Sequence, residues 1–163
     1  MMNWLGKCLT KIEDMLAIIA GTLIFVSMIT IVVEIIRRNM TGRSFVWVQE
    51  YNEYLLLYIP FLAGAWLLRN HGHVVINLID NIISKGSSKI LKIIVAILGV
   101  LSMAILVYYS SLVTYDMLAN SVTSTTVLRT PQFYVYIVIP VGSFLMLLEF
   151  IRSLTHSFNE SAL

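Results

Sequence analysis

The three histidines, His71, His73 and His156, are the first residues to consider as carriers of chemistry. A haem held between helices needs axial histidines within facing spans, but these follow one apolar segment and end another. His71 and His73 are two positions apart, a spacing that does not place both on one helical face. We therefore predict no haem or metal site, and we expect His73 to orient a turn and His71 to be solvated.

Two glutamates at the margins of apolar segments, Glu34 and Glu149, are of the type that can carry protons. Each is followed three residues later by an arginine, Arg37 or Arg152, so ion pairs at helix ends are the favoured interpretation. No nucleophile and base stand at a catalytic spacing, and no phosphate-binding glycine loop is present. The single cysteine, Cys8, excludes an internal disulfide and a cysteine-cluster metal site in a monomer. The sequence predicts neither an enzyme nor a cofactor.

The elements that position these residues are membrane helices, as the composition indicates. Of 163 residues, 58% are hydrophobic and 12% are charged, and the mean hydropathy is +0.85. A soluble domain carries about 25% charged residues. The net charge is only +2 and the basic residues are scattered, so no nucleic-acid-binding surface is predicted. We expect an integral membrane protein surrounded by a lipid bilayer.

Four apolar segments with short links predict an all-α membrane protein that forms one domain, residues 1–163. Charged residues, rather than a cleavage site, follow the first apolar run, so it is expected to be a retained helix and not a signal peptide. The predicted spans are residues 13–37, 46–69, 89–117 and 131–154. Pro131 opens the fourth span, which suits the first turn of a helix.

The second span differs from the others in its charges. Only fifteen uncharged residues separate Glu53 from Arg69, fewer than the roughly 20 that cross a bilayer. Its helix must therefore begin near Trp47 and carry Glu50 and Glu53 to the membrane edge, where carboxylates need partners. Trp47 and Trp66 lie nineteen positions apart, a separation that places one tryptophan in each interfacial belt.

Three arginines precede this helix: Arg37, Arg38 and Arg43. We hypothesise that at least one of Glu50 and Glu53, which share a helix face, pairs with one of these arginines. Such a pair would fix the first helix against the second. The alternative is that both carboxylates are hydrated at the level of the lipid headgroups.

Pro60 and Gly64 lie inside the second span. Proline is tolerated in a membrane helix and usually bends it, so we interpret Pro60 as a packing bend rather than a moving hinge. Gly64 lies on the same face, beside two alanines, and allows another helix to approach closely.

Residues 74–84, VVINLIDNIIS, are too few to cross a membrane and too apolar to lie free in water. On a helix their polar side chains form one narrow stripe. We therefore predict a short amphipathic helix lying flat in the membrane interface between spans two and three. The alternative is that this segment docks against the other helices.

The distribution of lysine and arginine predicts the orientation. With the N-terminus inside, seven basic residues lie on the inner side and four on the outer side. Because cytoplasmic loops carry the excess of basic residues, both termini are predicted to be cytoplasmic.

A family resemblance runs through nearly the whole chain. The residues that carry it are Arg38, Ser44, Trp47, Glu50, Gly64, Arg69, Gly72, His73 and Val74, followed by Pro131, Pro140, Val141, Gly142 and Glu149. Their order and separations resemble the DctQ-like family, the small membrane subunit of tripartite ATP-independent periplasmic (TRAP) transporters. Gln49 and Asn77 depart from the pattern, since acidic residues often stand there, so no paired carboxylate at positions 49 and 50 is implied.

The resemblance implies a scaffold subunit in the bacterial inner membrane. Its partners would be a large membrane (M) subunit, which carries the substrate and the coupling sodium ions, and a soluble periplasmic substrate-binding protein. The substrate would be an organic acid such as a C4-dicarboxylate or sialic acid, and the overall likeness is nearest to sialic-acid systems. The small subunit would enlarge the stationary part of an elevator-type transporter, with Gly64 at the interface to the large subunit.

Two alternatives belong to other classes. One is a redox subunit that binds haem or quinone through His71 and His73. The other is a stand-alone small exporter that uses Glu50 or Glu53 as its proton site.

Overall fold

The computed structural model describes residues 2–80, 85–126 and 128–159, with side chains over 6–70, 90–91, 93–126 and 128–155. The described chain forms five helices, α1 (Met2–Thr41), α2 (Val46–Asp80), α3 (Lys85–Ala119), α4 (Gln132–Tyr136) and α5 (Val138–Asn159). One isolated bridge between Thr123 and Pro131 accompanies them. The predicted all-α class is confirmed for these residues.

Three of the described helical segments are long and apolar enough to cross a membrane: Gly6–Thr41, Ile93–Ala119 and Gln132–Thr155. They correspond to the first, third and fourth predicted spans. The second predicted span lies within α2 and is not among them, because its uncharged stretch is short and charged residues stand at both ends. A crossing by α2 therefore stays a prediction.

Helix α1 is longer than the predicted span at both ends. It ends where Gly42 adopts a left-handed conformation, with φ of 67°, and the Gly42 N–H donates to the Arg38 carbonyl at 2.9 Å. A glycine in this conformation satisfies one of the free carbonyl groups at a helix C-terminus. Residues 42–45 then form a tight connection to α2.

Helix α2 continues through Pro60 and past Arg69 to Asp80. Residues 74–80 are therefore its last turns, while residues 81–84 lie outside the described part, so the separate amphipathic helix predicted over 74–84 is not confirmed. The backbone also places His73 within α2, where we had expected a turn. A single glycine such as Gly72 costs a helix only about 1 kcal/mol, too little to end it.

Helices α4 and α5 together form the fourth predicted span, with a break at Ile137. Pro140 lies in the first turn of α5 and has no N–H to donate to the carbonyl of Tyr136. The break therefore falls where the proline removes a helical hydrogen bond.

The helices pack in the order α1, α2, α5, α3, with α4 against α3. Small side chains lie at these contacts, since Ala20, Ala65 and Ala96 are each 3% exposed or less. Large apolar side chains are exposed along α1 and α3, for example Ile18, Phe25 and Leu101. The central position of α2 and α5 brings charged residues from distant parts of the chain together.

Candidate functional site: two polar clusters on a helical scaffold

The crossing of α2 and α5 is built on two glycines. A Cβ atom at Gly142 would lie 2.5 Å from the Phe61 carbonyl oxygen and 2.6 Å from the Phe61 Cβ atom, and one at Gly64 would lie 2.7 Å from the Met146 sulfur. Small residues allow this close approach of two helices. Gly64 therefore lies at a helix contact within the chain, and its contact with the large subunit stays a prediction.

The first polar cluster, which we call the Glu50 cluster, joins the start of α2 to the connection between α3 and α4. Glu50 is buried, with only 5% of the residue's surface exposed. Its carboxylate accepts hydrogen bonds from the Tyr54 hydroxyl at 2.6 Å, from the Thr126 hydroxyl, and from the Leu128 N–H at 3.2 Å. Three donors therefore satisfy a carboxylate that burial would otherwise destabilise.

The hypothesised pairing of Glu50 with an arginine is wrong. Glu50 faces Thr126 and Leu128, whereas the Arg37 guanidinium lies 3.3 Å from the centre of the Phe45 ring. Glu53 is exposed, as are Arg38 and Arg43. Within the described side chains, no ion pair joins these carboxylates to these arginines. The reason is geometric, since Glu50 lies on the face of α2 that contacts the α3–α4 connection.

The α3–α4 connection is described at residues 120–126 and 128–131, where backbone hydrogen bonds fix its course. The Ser124 N–H donates to the Thr130 carbonyl and the Gln132 N–H to the Val122 carbonyl, each at 2.9 Å. Arg129 takes a left-handed conformation, with φ of 46°. Pro131 directly precedes α4 and its carbonyl accepts from the Tyr134 N–H at 3.1 Å, which places it at the helix start as predicted.

Glu34 has a different role from the predicted ion pair with Arg37. Its carboxylate accepts from the Phe45 N–H at 2.9 Å and from the Ser44 hydroxyl. It therefore satisfies a donor just before α2, where helices leave N–H groups unpaired. Trp47 packs edge-on against Phe45, with ring centres 5.6 Å apart, and remains half exposed at this end of the molecule.

The second polar cluster, which we call the Arg69 cluster, lies at the opposite end and joins α1 to α2. The Arg69 guanidinium donates to the Glu13 carboxylate at 2.6 Å, to the Asp14 carboxylate, and to the Thr10 carbonyl at 3.1 Å. On α5, Glu149 and Arg152 form the predicted ion pair at 3.0 Å.

Sequence reasoning missed Glu13 and Asp14. They stand 56 and 55 positions from Arg69, and no local spacing indicates such a contact. The available signal was the rule that a charged residue at the start of a membrane span needs a partner. A third polar contact was missed for the same reason: the Ser27 hydroxyl donates to the Asn52 side-chain carbonyl at 2.6 Å between α1 and α2.

Three predicted site residues remain. Pro60 is exposed within α2, Pro140 lies partly buried in α5, and the side chain of His73 lies outside the described ones. Among the described side chains, no group of three or more histidines, cysteines or acidic residues is arranged to hold a metal ion.

The fold and its polar clusters define an integral membrane protein whose buried charged residues, Glu13, Glu50 and Glu149, bond to groups of the same chain. Residues 27–160 match the family described as tripartite ATP-independent periplasmic transporters, DctQ component. The chain belongs to this DctQ family, which confirms the resemblance read from the sequence. A search of curated proteins gave no match.

Proposed function

We propose that this chain is the small membrane subunit of a TRAP transporter and that it acts as a stationary scaffold for the large, sodium-coupled subunit. The observation that supports the proposal is that its buried polar side chains form hydrogen bonds and ion pairs within the chain. Glu13, Glu50 and Arg69 all bond to residues of this same chain. A body tied together in this way resists deformation while a partner moves.

The exposed apolar faces of α1 and α3 complete this proposal. Side chains such as Phe25 and Ile105 are at least half exposed, so these faces offer contact area for lipid and for the large subunit. The proposal includes α2 as a fourth span, with Trp47 near one interface. It gives the protein an inner-membrane location with both termini in the cytoplasm.

This orientation would expose the 42–45 and 120–131 connections to the periplasm, with Arg38, Arg43 and Arg129 exposed. Glu53 and Asp116 are also exposed at this end, and charged side chains of both signs there suit transient, orienting contact with the periplasmic binding protein. The transported solute in this proposal is an organic acid, either a C4-dicarboxylate or sialic acid. Uptake competition with both acids would distinguish them.

Reconstitution tests the scaffold role. Proteoliposomes that contain this chain together with the large subunit and binding protein should take up the organic acid along a sodium gradient, and omission of this chain should abolish uptake. Proteoliposomes with this chain alone should carry nothing. Uptake by the isolated chain would refute the scaffold and favour the exporter alternative.

The redox alternative depends on His71 and His73. We expect His71→Ala to leave transport nearly unchanged, because the scaffold role needs no imidazole at that position. Loss of transport with normal assembly of the complex would contradict this expectation. A haem absorption band in the purified protein would favour the redox alternative.

A further inference from the structure

An open groove of about 490 Å³ runs between α3 and α5. Its lining residues are Ala104, Val107, Tyr108, Ser111, Leu112 and Leu147. Ala104, Tyr108, Ser111 and Tyr115 follow one another at intervals of four, three and four residues, which places them on one face of α3. We call this face the Tyr108 seam. It presents two tyrosine rings, 61% and 70% exposed, beside two small side chains.

The Tyr108 hydroxyl lies at a depth where lipid offers no hydrogen-bond partner. No charged residue stands between Lys92 and Asp116, a stretch of about 36 Å of helix that covers the roughly 30 Å hydrocarbon core of a bilayer. Tyr108 precedes Asp116 by eight residues, or about 12 Å along the helix. Because helical side chains point toward the N-terminus of their helix, the Tyr108 ring points away from the Asp116 end. Its hydroxyl is therefore directed into the bilayer and not toward the nearer headgroups.

The chain itself supplies no partner for this group. Within the described side chains, the Tyr108 and Ser111 hydroxyls have no hydrogen-bond partner. Local bonds from a side chain to its own helix backbone are made by serine and threonine, and a tyrosine hydroxyl lies too far from its backbone for them. Tyr109 packs edge-on against the Tyr108 ring, with ring centres 5.3 Å apart, which leaves the hydroxyl free. A polar group left unpaired in hydrocarbon is unfavourable, so the seam needs a neighbour with hydrogen-bonding groups.

Helix α1 is different, although its apolar side chains are equally exposed. The hydroxyl groups among its described side chains all bond within the chain, and they belong to Thr10, Thr22, Ser27, Thr30 and Thr41. The exposed side chains in the middle of α1, such as Phe25 and Ile29, are apolar. Lipid tails are therefore sufficient to cover α1, whereas they are not sufficient for the Tyr108 seam.

We propose that the Tyr108 seam is the docking surface for a membrane-spanning helix of the large subunit, one that presents a hydrogen-bond acceptor to the Tyr108 hydroxyl. This inference rests on the proposed scaffold function. The small side chains of Ala104 and Ser111 let the backbone of such a helix come close, and serine, threonine, asparagine or glutamine on it supplies the acceptor.

Two other occupants fit the seam less well. A lipid tail fills the groove but has no acceptor. A symmetric pair of copies of this chain would bring the same surface of both together, and with it the exposed Asp116 carboxylates at the end of the seam. Like charges placed side by side oppose such a pairing.

Tyr108→Phe tests the hydrogen bond to the large subunit. The substitution keeps the ring and removes only the hydroxyl, so the isolated chain should unfold in detergent at the wild-type temperature. Assembly with the large subunit should weaken about three- to tenfold, the effect of one hydrogen bond between membrane helices. The matched control is Tyr134→Phe, which lies outside the seam and is 62% exposed, and it should assemble normally. Unchanged assembly of Tyr108→Phe, or an equal loss in the control, would overturn the proposal.

Filling the groove provides a second measurement. Ser111→Trp should lower the amount of large subunit that co-purifies by about tenfold or more, because overpacking keeps the two helices apart. Ile29→Trp on the exposed face of α1 should leave that amount unchanged. The reverse ranking would place the large subunit on α1 and refute the docking surface.

Photo-cross-linking of the complex in membranes identifies the occupant directly. A photoreactive benzophenone side chain in place of Tyr108 should form an adduct with the large subunit. An adduct of two copies of this chain, or no protein adduct, would assign the seam to a dimer or to lipid and would overturn the proposal. Cross-linking to the large subunit from position 29 only would refute the seam but leave the scaffold role intact. Failure of the wild-type chain to co-purify with the large subunit would refute both.

Discussion

The close approach of α2 and α5 at Gly142 makes Gly142→Ala a sharp test of the fold. The new methyl group would lie 2.5 Å from the Phe61 carbonyl oxygen and 2.9 Å from the Phe61 carbonyl carbon. Backbone atoms cannot turn aside as a flexible side chain can. The two helices would have to separate by roughly 1 Å to reach ordinary contact distances.

The expected loss of stability in Gly142→Ala is the difference between two opposing contributions. Overpacking of a well-packed contact costs about 1–3 kcal/mol, and the upper end applies because the clash is with backbone. Replacement of glycine by alanine inside a helix stabilises the helix by about 1 kcal/mol. The net destabilisation of Gly142→Ala is therefore about 2 kcal/mol, or a fall of about 6 °C in Tm for a chain of this length.

Two other glycines supply matched controls. At Gly64 the added methyl group would meet the end of the Met146 side chain, which can rotate away, and at Gly21 it would meet nothing within 4 Å. Thermal unfolding in detergent should therefore rank Gly21→Ala as the most stable of the three, Gly64→Ala next and Gly142→Ala last. If Gly142→Ala unfolds at the same temperature as Gly21→Ala, α2 and α5 do not meet as described.

Two further predictions concern the polar clusters. Glu50→Ala should speed hydrogen exchange at the Leu128 N–H, because it removes the acceptor of that bond, whereas the exposed control Glu53→Ala should leave that rate unchanged; equal rates in both variants would contradict the role of Glu50. Arg69→Ala should destabilise the chain by about 3–5 kcal/mol in thermal or chemical unfolding, because it leaves Glu13 buried with an unpaired charge. Arg69→Lys should lose less, since it keeps the charge, and equal losses would show that the charge contributes nothing.

The sequence predicted those parts of the fold that depend on composition and local pattern. Long apolar runs predicted α1, α3 and the α4–α5 span, and the spacing of Glu149 and Arg152 predicted their ion pair. Helix ends were predicted less well. Helix α1 begins well before residue 13, and α2 extends past residue 73, because polar residues can continue a helix after the apolar run has ended.

The predicted partner of Glu50 was wrong for a related reason. Nearby arginines in the sequence suggested an ion pair. In the structure, the Glu50 carboxylate instead accepts hydrogen bonds from Thr126 and Leu128, which are more than seventy positions away. The spacing of residues along the sequence does not reveal such long-range contacts. The same limit applies to Gly64, whose small size indicated a close helix contact but could not identify α5 as the neighbour.

The sequence by itself determined that this is a helical membrane protein of the DctQ family, because hydropathy and the order of family residues are properties of the chain alone. Only the tertiary structure decided which charged groups meet. Arg69 on α2 contacts Glu13 and Asp14 on α1 because these two helices pack against each other. Side chains that are far apart in the sequence, on different helices, become neighbours only when those helices pack together.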